Sequence, residues 1–222
     1  TARRTDRLEA LAAELGTPCR ILPADLADEA DCARLCAALA GENIDIFINN
    51  AGFGVCGSYL ETDAAREEEM IKVNVAAMAR LFHFAVRKMD AAGGGTILNV
   101  ASSAGLLPGG PYMAGYYASK AYVVSLTRGV AEELRENRSP VYVCALCPGP
   151  VNTEFNDRAG VVFALKGITP EFCVEEALLG MMHHKTVIVP SAFMRLCTGA
   201  QKLLPTPLLM PIVARQQKKK LG

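Results

Sequence analysis

Tyr116 and Lys120 are the residues of this chain whose types and spacing best suit proton transfer, since they lie four positions apart in the run Tyr-Tyr-Ala-Ser-Lys. In a helix this spacing places a phenol and an ammonium group on the same face. A free phenol titrates at about pH 10, and a nearby cation favours its ionised form, so the lysine is predicted to lower the pKa of the tyrosine. Such a pair could move a proton to or from an alcohol.

Two serines lie one loop upstream of this pair, directly after the apolar run 96–101. Ligand crevices in open α/β sheets lie at the carboxyl ends of the strands, so a hydroxyl of Ser102 or Ser103 could polarise a carbonyl group there. The Tyr-x-x-x-Lys pair is a weak signal by itself, because chance produces it readily. Without a catalytic role, the tyrosine would be a packed helix residue and the lysine a solvated one.

Short apolar runs alternate with helical patterns along the chain. We predict helices at 6–15 (capped by Thr5 and ended by Gly16), 28–39, 63–91, 113–136 and 172–183. Strands are predicted at 19–23, 44–49, 96–101, 141–147 and 186–189. Apolar strands separated by long helices indicate an α/β fold with a doubly wound, Rossmann-like parallel sheet. Residues 1–222 are predicted to form one domain, with a C-terminal extension over 190–222.

Composition excludes several classes of function. The 222 residues include 23 Lys and Arg and 23 Asp and Glu, so no global attraction to nucleic acid is expected, and no apolar run is long enough to span a membrane. Cys144 and Cys147 have the spacing of metal ligands, but they end an apolar run and no second pair exists. We therefore predict buried strand cysteines, no metal site, and a cytoplasmic, reducing location.

Further motifs occur in a fixed order around the tyrosine and lysine. The motif Asn-Asn-Ala-Gly at 49–52 follows a predicted strand, and Asn74 lies within the long predicted helix. The segments 99–105 and 148–153 end the next two strands. Together with the Tyr-Lys pair, this ordered set resembles the short-chain dehydrogenase/reductase family, from residue 2 to residue 189.

The resemblance implies a catalytic set of Asn74, Ser102, Tyr116 and Lys120. Tyr116 would be the general acid/base, and Lys120 would lower its pKa and hold the nicotinamide ribose. The serine would bind the carbonyl or alkoxide oxygen. Asn74 would stabilise a helix kink whose main-chain carbonyl holds a water in a proton relay to the lysine.

Two assignments in this set have rivals. The family pattern Ser-Ser-x-x-Gly, read back from Gly105, indicates Ser102, whereas the spacing back from Tyr116 indicates Ser103. We favour Ser102, because the loop between the serines and the tyrosine accepts an extra residue more easily than a strand end does. Tyr117 is a rival for the acid/base, but its spacing to the lysine departs from the family pattern.

The resemblance also implies a nicotinamide cofactor. Its contacts would be Arg3, Asp25 and Leu26 near the adenine, Asn50, Ala51 and Gly52 at the adenosine ribose, and Val151 and Thr153 at the carboxamide, besides Tyr116 and Lys120. An acidic residue near the end of the second strand would hold the ribose of NAD, whereas an arginine accommodates the 2′-phosphate of NADP. Arg3 therefore predicts NADP, with NAD as the alternative.

The family's first strand and glycine-rich turn are not found, since no Gly-x-x-x-Gly-x-Gly precedes Asp25. We expect a strand-helix-strand piece of roughly thirty residues to precede Thr1 in the complete protein. That protein would interconvert a carbonyl and an alcohol by hydride transfer. The alternative is a non-catalytic fragment that binds the cofactor poorly.

Apolar segments of the chain lead to predictions about its substrate and its partners. Phe155, Val161, Phe163 and Leu165 follow Thr153 in the expected substrate lid and favour a small apolar carbonyl or alcohol substrate. The helices 63–91 and 113–136 are apolar over more than one stripe, which predicts a homodimer or homotetramer, unless both faces pack within one subunit. The apolar segment 203–214 is predicted to pack over the substrate pocket or on a partner subunit; a membrane surface is the alternative.

Overall fold

The computed structural model describes residues 1–155 and 167–218. At its centre is a four-stranded parallel sheet with the strands in sequential order. The strands are β1 (Ile46–Asn49), β2 (Gly95–Val100), β3 (Val141–Leu146) and β4 (Val187–Ile188). All four run in the same direction, so their carboxyl ends share one edge of the sheet. This edge is where the candidate site lies.

Helices surround the sheet. In chain order they are α1 (Thr5–Leu15), α2 (Glu29–Leu39), α3 (Ala64–Ile71), α4 (Met78–Ala91), α5 (Ala114–Glu136), α6 (Pro170–Met182), α7 (Ala192–Ala200) and α8 (Thr206–Lys218). A π-helical segment (Lys72–Ala77) joins α3 to α4, and 3₁₀ turns form at Ser103–Leu106 and Gln201–Leu203. Among the residues described, no helix has both the length and the apolar character needed to cross a membrane.

The local sequence explains where several helices begin and end. The Asp28 side chain accepts a hydrogen bond of 2.7 Å from the Ala30 amide and so caps α2. Thr169 caps α6 through the Phe172 amide at 3.2 Å, and a proline follows at the first helical position. Gly16 ends α1 in the left-handed conformation, with φ 62°.

The two central strands, β2 and β3, are covered on both faces. Neighbouring residues of a strand point to opposite sides. Ile97 and Val143 pack in a buried cluster with α4 and α5, whereas Leu98 and Cys144 pack with Cys173 of α6. The prediction of a parallel sheet is confirmed, and burial on both sides holds for β2 and β3, whereas Ile46 and Ile48 of β1 are more than half exposed.

The predicted strand at 19–23 is wrong, because this segment is extended but joins no sheet. Its main-chain carbonyls accept from side chains instead: Thr1 Oγ1 donates to the Leu22 carbonyl, and Arg34 Nη2 donates to the Pro23 carbonyl at 2.8 Å. In the part of the chain that the structure describes, no strand pairs with the outer edge of β1. A strand needs such a ladder partner, whatever its own propensity.

Two predictions about helices are also corrected. Thr5 is not the cap of α1 but its first residue; Arg4 occupies the cap position and makes no side-chain cap hydrogen bond. The predicted helix 63–91 is not α-helical throughout, because Lys72–Ala77 forms the π-helical segment. One turn with an extra residue changes which side chains face the core, and such turns are frequent at functional sites.

Cys144 lies in β3 and Cys147 directly after it, and both are fully buried free thiols. Burial raises the pKa of both, to about 12 for Cys147. Both thiols therefore stay protonated and act as small apolar side chains in the sheet.

The C-terminal helices fold back over the loop that follows β2. Met210 of α8 lies close enough to Gly109 that a Cβ on this glycine would come within 3.3 Å of Met210 Cε. Met194 of α7 and Gln217 of α8 both line the cavity at the carboxyl ends of the strands. The cavity wall is thus formed in part by residues on either side of the apolar segment 203–214, whose predicted packing over the pocket stays a prediction.

Candidate active site

A cavity of about 490 Å³ lies at the carboxyl ends of β2 and β3. The residues after these strands, 101–104 and 148–151, form part of its wall. Helix α5 crosses the same edge and brings Tyr116, Tyr117 and Lys120 to the cavity. The structure therefore unites the predicted tyrosine, lysine and serines at one point.

The Tyr116 phenol is held in a largely apolar setting. Its ring lies 6.3 Å from that of Tyr117 in an edge-to-face arrangement and 5.6 Å from that of Phe155. Burial raises the pKa of Tyr116 to about 12, although a hydrogen bond with Ser102 opposes this shift. The tyrosine is therefore a neutral proton donor at ordinary pH.

Lys120 is also buried, with an exposed fraction of 5%. Its Nζ donates to the Val100 carbonyl at 2.8 Å and lies 5.9 Å from the centroid of the Tyr116 ring. Burial lowers the pKa of Lys120 to about 8. Contrary to the sequence-based expectation, the pKa of the tyrosine is raised in this arrangement, because burial disfavours the charged phenolate.

Asn74 connects the loop after β1 to helix α5 from within the π-helical segment. Its Nδ2 donates to the Phe53 carbonyl at 2.8 Å and to Ser119 Oγ at 3.1 Å, and its Oδ1 accepts from the Phe53 amide at 3.1 Å. The side chain is almost completely buried, so these three bonds satisfy it. Asn74 thus positions the loop opposite the lysine.

The two serines differ in their surroundings. Ser102 Oγ accepts from the Ala104 amide at 3.1 Å, caps the 3₁₀ turn and donates to the Pro148 carbonyl at 3.5 Å, and its side chain opposes the upward pKa shift of Tyr116. Ser103 is held through its main chain, with its amide donating to the Pro148 carbonyl at 2.8 Å. The geometry therefore favours Ser102 as the hydroxyl that works beside the phenol.

A second cavity, of about 990 Å³, contains the residues expected to bind the adenosine half of a cofactor. Its lining includes Arg3, Asp25, Leu26, Asn50, Ala51 and Gly52. The two cavities share Asn50, Gly52 and Phe155 in their walls. An extended ligand could therefore reach from one cavity to the other.

Gly52 shows how closely the main chain approaches the Asn74 and Lys120 side chains at this junction. A Cβ there would lie 3.0 Å from Asn74 Oδ1 and 3.2 Å from Lys120 Nζ. A side chain would crowd both polar groups, so a glycine keeps the junction open. The two adjoining cavities could hold the two nucleosides of a dinucleotide. The sequence contains no glycine-rich turn before Asp25 that would bind the pyrophosphate between them.

Arginines and carboxylates surround the open end of the second cavity. Arg3 Nη1 lies 3.1 Å from Glu69 Oε1 and 3.7 Å from Asp25 Oδ2. Arg4 pairs with Glu154 at 3.2 Å. Arg3 is half exposed, which leaves the guanidinium accessible to an anionic ligand.

Val151 and Thr153, the expected carboxamide contacts, line the first cavity. Val151 forms a parallel bridge with Ile168, and Thr153 Oγ1 accepts from the Phe155 amide at 3.3 Å. The expected lid residues Val161, Phe163 and Leu165 lie outside the described residues.

Sequence reasoning missed Gln217, which reaches the cavity from α8. Its Nε2 donates to Tyr117 Oη, so a side chain of α8 is hydrogen-bonded to Tyr117. The only sequence signal for this position is its four-residue spacing from Val213 and Leu209, which share its buried face. No local motif connects such a glutamine to a site 100 residues earlier in the chain.

Comparisons with known proteins agree with this geometry. The family model described as short chain dehydrogenase matches residues 1–160. Nodulation protein G of Rhizobium meliloti is 32% identical over 155 residues, which are 69% of this chain and 62% of that protein. Dehydrogenase/reductase SDR family member 11 of Bos taurus is 34% identical over 167 residues, covering 69% of this chain and 64% of that protein. The chain thus spans less than two thirds of the length of these relatives.

A solved structure shares the fold. A short-chain dehydrogenase from Sphingobium yanoikuyae, solved in complex with NADPH, superposes with a TM-score of 0.81 and 31% identity. The superposition covers 93% of this chain and 83% of that one. The matched family model and this likeness cover the sheet and the cavity with its tyrosine and lysine. The chain therefore belongs to the short-chain dehydrogenase/reductase family.

Proposed function

We propose that the complete protein is an NADP-dependent oxidoreductase that interconverts a ketone or aldehyde and the corresponding alcohol. The observation that carries the proposal is the buried Tyr116 phenol, which shares one cavity with the Ser102 hydroxyl and the Lys120 ammonium group. The NADPH bound to the Sphingobium relative supports a nicotinamide cofactor. The buried thiols of the sheet are in keeping with a cytoplasmic location.

The residues of the cavity would act on the carbonyl oxygen. A bound nicotinamide would supply a hydride to the carbonyl carbon during reduction and accept one during oxidation. As the π electron pair of the carbonyl moves to oxygen, Ser102 donates a hydrogen bond to that oxygen and Tyr116 transfers its phenolic proton to it. Lys120, held by the Val100 carbonyl, stabilises the phenolate that forms.

The pKa of about 12 for Tyr116 suits this direction of transfer. The phenol is fully protonated at neutral pH and can act as an acid. Oxidation of an alcohol needs the phenolate instead, so the rate of oxidation should rise with pH through the alkaline range. A cofactor with a positively charged ring would add to the lysine in favouring the ionised form.

The activity can be tested with the purified complete protein, NADPH and a panel of ketones and aldehydes that differ in size. Consumption of NADPH that depends on the carbonyl compound, with formation of the alcohol, is the expected result. If every ketone and aldehyde leaves NADPH unchanged, the proposed reaction is wrong.

A second candidate is a non-catalytic fragment, favoured by the lack of a glycine-rich turn before Asp25. Titration of the 222-residue chain with NADPH distinguishes the two. Micromolar binding would contradict the fragment hypothesis. Binding weaker than millimolar would support it.

We predict that Ser102→Ala lowers kcat for carbonyl reduction by about 10²-fold, the usual cost of losing one donor to a developing oxyanion. Ser103→Ala should cost less than about threefold in kcat, since Ser103 is held through its main chain. Steady-state kinetics of both variants, with thermal unfolding to exclude loss of the fold, measure the difference. A larger loss for Ser103→Ala would assign the role to Ser103 instead.

We predict that Arg3→Ala lowers the preference for NADPH over NADH by about tenfold, because one charge-assisted hydrogen bond to the 2′-phosphate contributes about 1–2 kcal/mol. The half-exposed position of Arg3 makes the effect sensitive to salt. Dissociation constants of both cofactors, measured at low and high ionic strength, test this. Arg135→Ala, which removes a surface guanidinium paired with Glu132, is the control. An unchanged preference in Arg3→Ala would contradict the assignment to NADP.

We predict that the complete protein is a homodimer or homotetramer. One subunit already covers much of the apolar surface of α4 and α5, because Leu126, Val130 and Leu134 pack against the sheet cluster. Ile71 at the end of α3 and Tyr122 of α5 remain about 40% exposed and offer a smaller contact surface. Light scattering at micromolar concentration measures the mass directly. A monomer mass would contradict the prediction and would leave the helices packed within one subunit.

A further inference from the structure

Gln217 is a buried polar residue at a position where its helix otherwise buries apolar side chains. Leu209, Val213 and Gln217 are the buried residues of α8, spaced four apart on one face. The next residue anchors the end of the helix, since Lys218 Nζ lies 5.7 Å from the centroid of the Tyr112 ring. The glutamine is thus fixed at the wall of the catalytic cavity.

The carboxamide of Gln217 is only half satisfied. Its Nε2 donates to Tyr117 Oη, whereas Oε1 is buried and has no hydrogen-bond partner in the described part of the chain. Leaving a buried acceptor unpaired costs about 1–3 kcal/mol. Native proteins rarely keep such a group unless it has a role, and its place beside the cavity indicates a ligand as the partner.

Tyr117, which accepts the hydrogen bond from Gln217, has a hydroxyl hydrogen to donate. Its Oη accepts the hydrogen bond from Gln217, so its own hydrogen is still available to a ligand. Burial raises the pKa of Tyr117 above that of a free phenol, which keeps this hydrogen in place. Tyr117 and Gln217 therefore offer one donor and one acceptor next to the catalytic tyrosine, whose ring is 6.3 Å from that of Tyr117.

The surroundings of this pair are apolar. Met113 and the partly buried Leu107 and Phe155 belong to the same cluster as Tyr117, and all three also line the cavity. A polar group of a substrate that entered this region would lose its water and would need a protein partner. A hydroxyl group matches the pair, because it can donate and accept at the same time.

We propose that Tyr117 and Gln217 form a second polar subsite, which binds a hydroxyl group that the substrate carries at a distance from its reacting carbonyl. The proposal rests on the proposed carbonyl reduction and names its substrate class, a hydroxyketone with an apolar skeleton. The hydroxyl donates to Gln217 Oε1 and accepts from Tyr117 Oη.

The test compares three ketones that share one rigid apolar skeleton and differ only at the distal position: a hydroxyl, a hydrogen or a methoxy group. We expect the complete protein to reduce the hydroxyketone with a kcat/KM about tenfold higher than that of the deoxyketone, which corresponds to one hydrogen bond. The methoxy compound accepts a hydrogen bond but donates none. It should therefore lose most of this advantage.

Gln217→Leu should remove the preference by raising the KM for the hydroxyketone, while kcat/KM for the deoxyketone stays within about threefold. Gln201→Leu is a matched control, because Gln201 is a buried glutamine of the same segment whose Nε2 donates to the Leu106 carbonyl. That control should keep the preference. Calorimetric titration of Tyr116→Phe with the hydroxyketone and deoxyketone measures the same difference in affinity without turnover.

The outcomes separate the subsite from the proposed function. If no ketone is reduced, the carbonyl reduction itself is wrong. If the ketones are reduced but Gln217→Leu leaves the ratio of hydroxyketone to deoxyketone unchanged, only the subsite is overturned. A methoxy ketone as good as the hydroxyketone would overturn the assignment of Oε1 as an acceptor from the substrate.

Discussion

Tyr116→Phe should lower kcat for carbonyl reduction by about 10²–10⁴-fold, the range expected when a general acid is removed. The ring contacts with Tyr117 and Phe155 do not need the hydroxyl group, so the variant should fold normally. Loss of turnover without loss of thermal stability would show that the phenolic proton is required. Steady-state kinetics with NADPH and the best ketone, together with thermal unfolding, provide both measurements.

The matched control for this variant is Tyr122→Phe, which removes a hydroxyl from the same helix. Tyr122 is 40% exposed, and its loss should leave kcat unchanged. The assignment of Tyr116 fails if Tyr116→Phe retains a turnover within tenfold of the wild type. In that case Tyr117→Phe becomes the next variant to measure, because Tyr117 is the other phenol in the cavity.

Lys120→Met should lower kcat for alcohol oxidation by about 10²-fold and at the same time stabilise the fold. The activity falls because no cation remains to favour the phenolate of Tyr116. Methionine has a similar length and fills the buried space without a charge. Opposite effects on activity and stability are typical of a residue kept for function.

The effect on stability follows from the pKa of Lys120, which is lowered from 10.5 to about 8 in the folded protein. The native state therefore holds the proton less tightly than the unfolded state, a cost of about 3 kcal/mol below pH 8. Removal of the lysine also loses its hydrogen bond to the Val100 carbonyl, about 1–2 kcal/mol. We expect Lys120→Met to unfold with a free energy about 1–2 kcal/mol higher at pH 7.

The pH dependence provides a sharper test. Between pH 8 and pH 10.5 the unfolded wild-type chain binds a proton that the native protein does not, so wild-type stability rises with pH in this window. The advantage of Lys120→Met should therefore shrink as the pH approaches 10.5. Urea unfolding at several pH values measures it, and Lys185→Met, at an exposed lysine, is the control. A variant that is less stable than the wild type at every pH would contradict this interpretation of the buried lysine.

The fold could be predicted from the sequence wherever a segment carries its own pattern. β2 and β3 are apolar and lie between long helical patterns, and their predicted bounds differ from the observed ones by only one residue. The segment 19–23 is equally strand-like, but it pairs with no strand in the described part of the chain. Propensity is local, whereas the hydrogen bonds of a strand come from another strand.

The candidate site, too, could be predicted from the sequence only where residues close in the chain carry the signal. The spacing of Tyr116 and Lys120 predicted a shared helix face, and the structure places both in one cavity. The pKa direction of the tyrosine could not be predicted in this way, because it depends on how completely the surrounding elements exclude water. The π-helical segment around Asn74 likewise has no period that a sequence pattern would reveal.

The sequence by itself determined the family, the alternation of strands and helices, and the residues able to move a proton, because each of these is carried by residue types at short spacing. The tertiary structure decided that both serines line one cavity with the phenol, how far burial shifts the two titrating groups, and that Gln217 lies beside Tyr117. These contacts join residues that are far apart in the chain. They depend on packing, which no local pattern encodes.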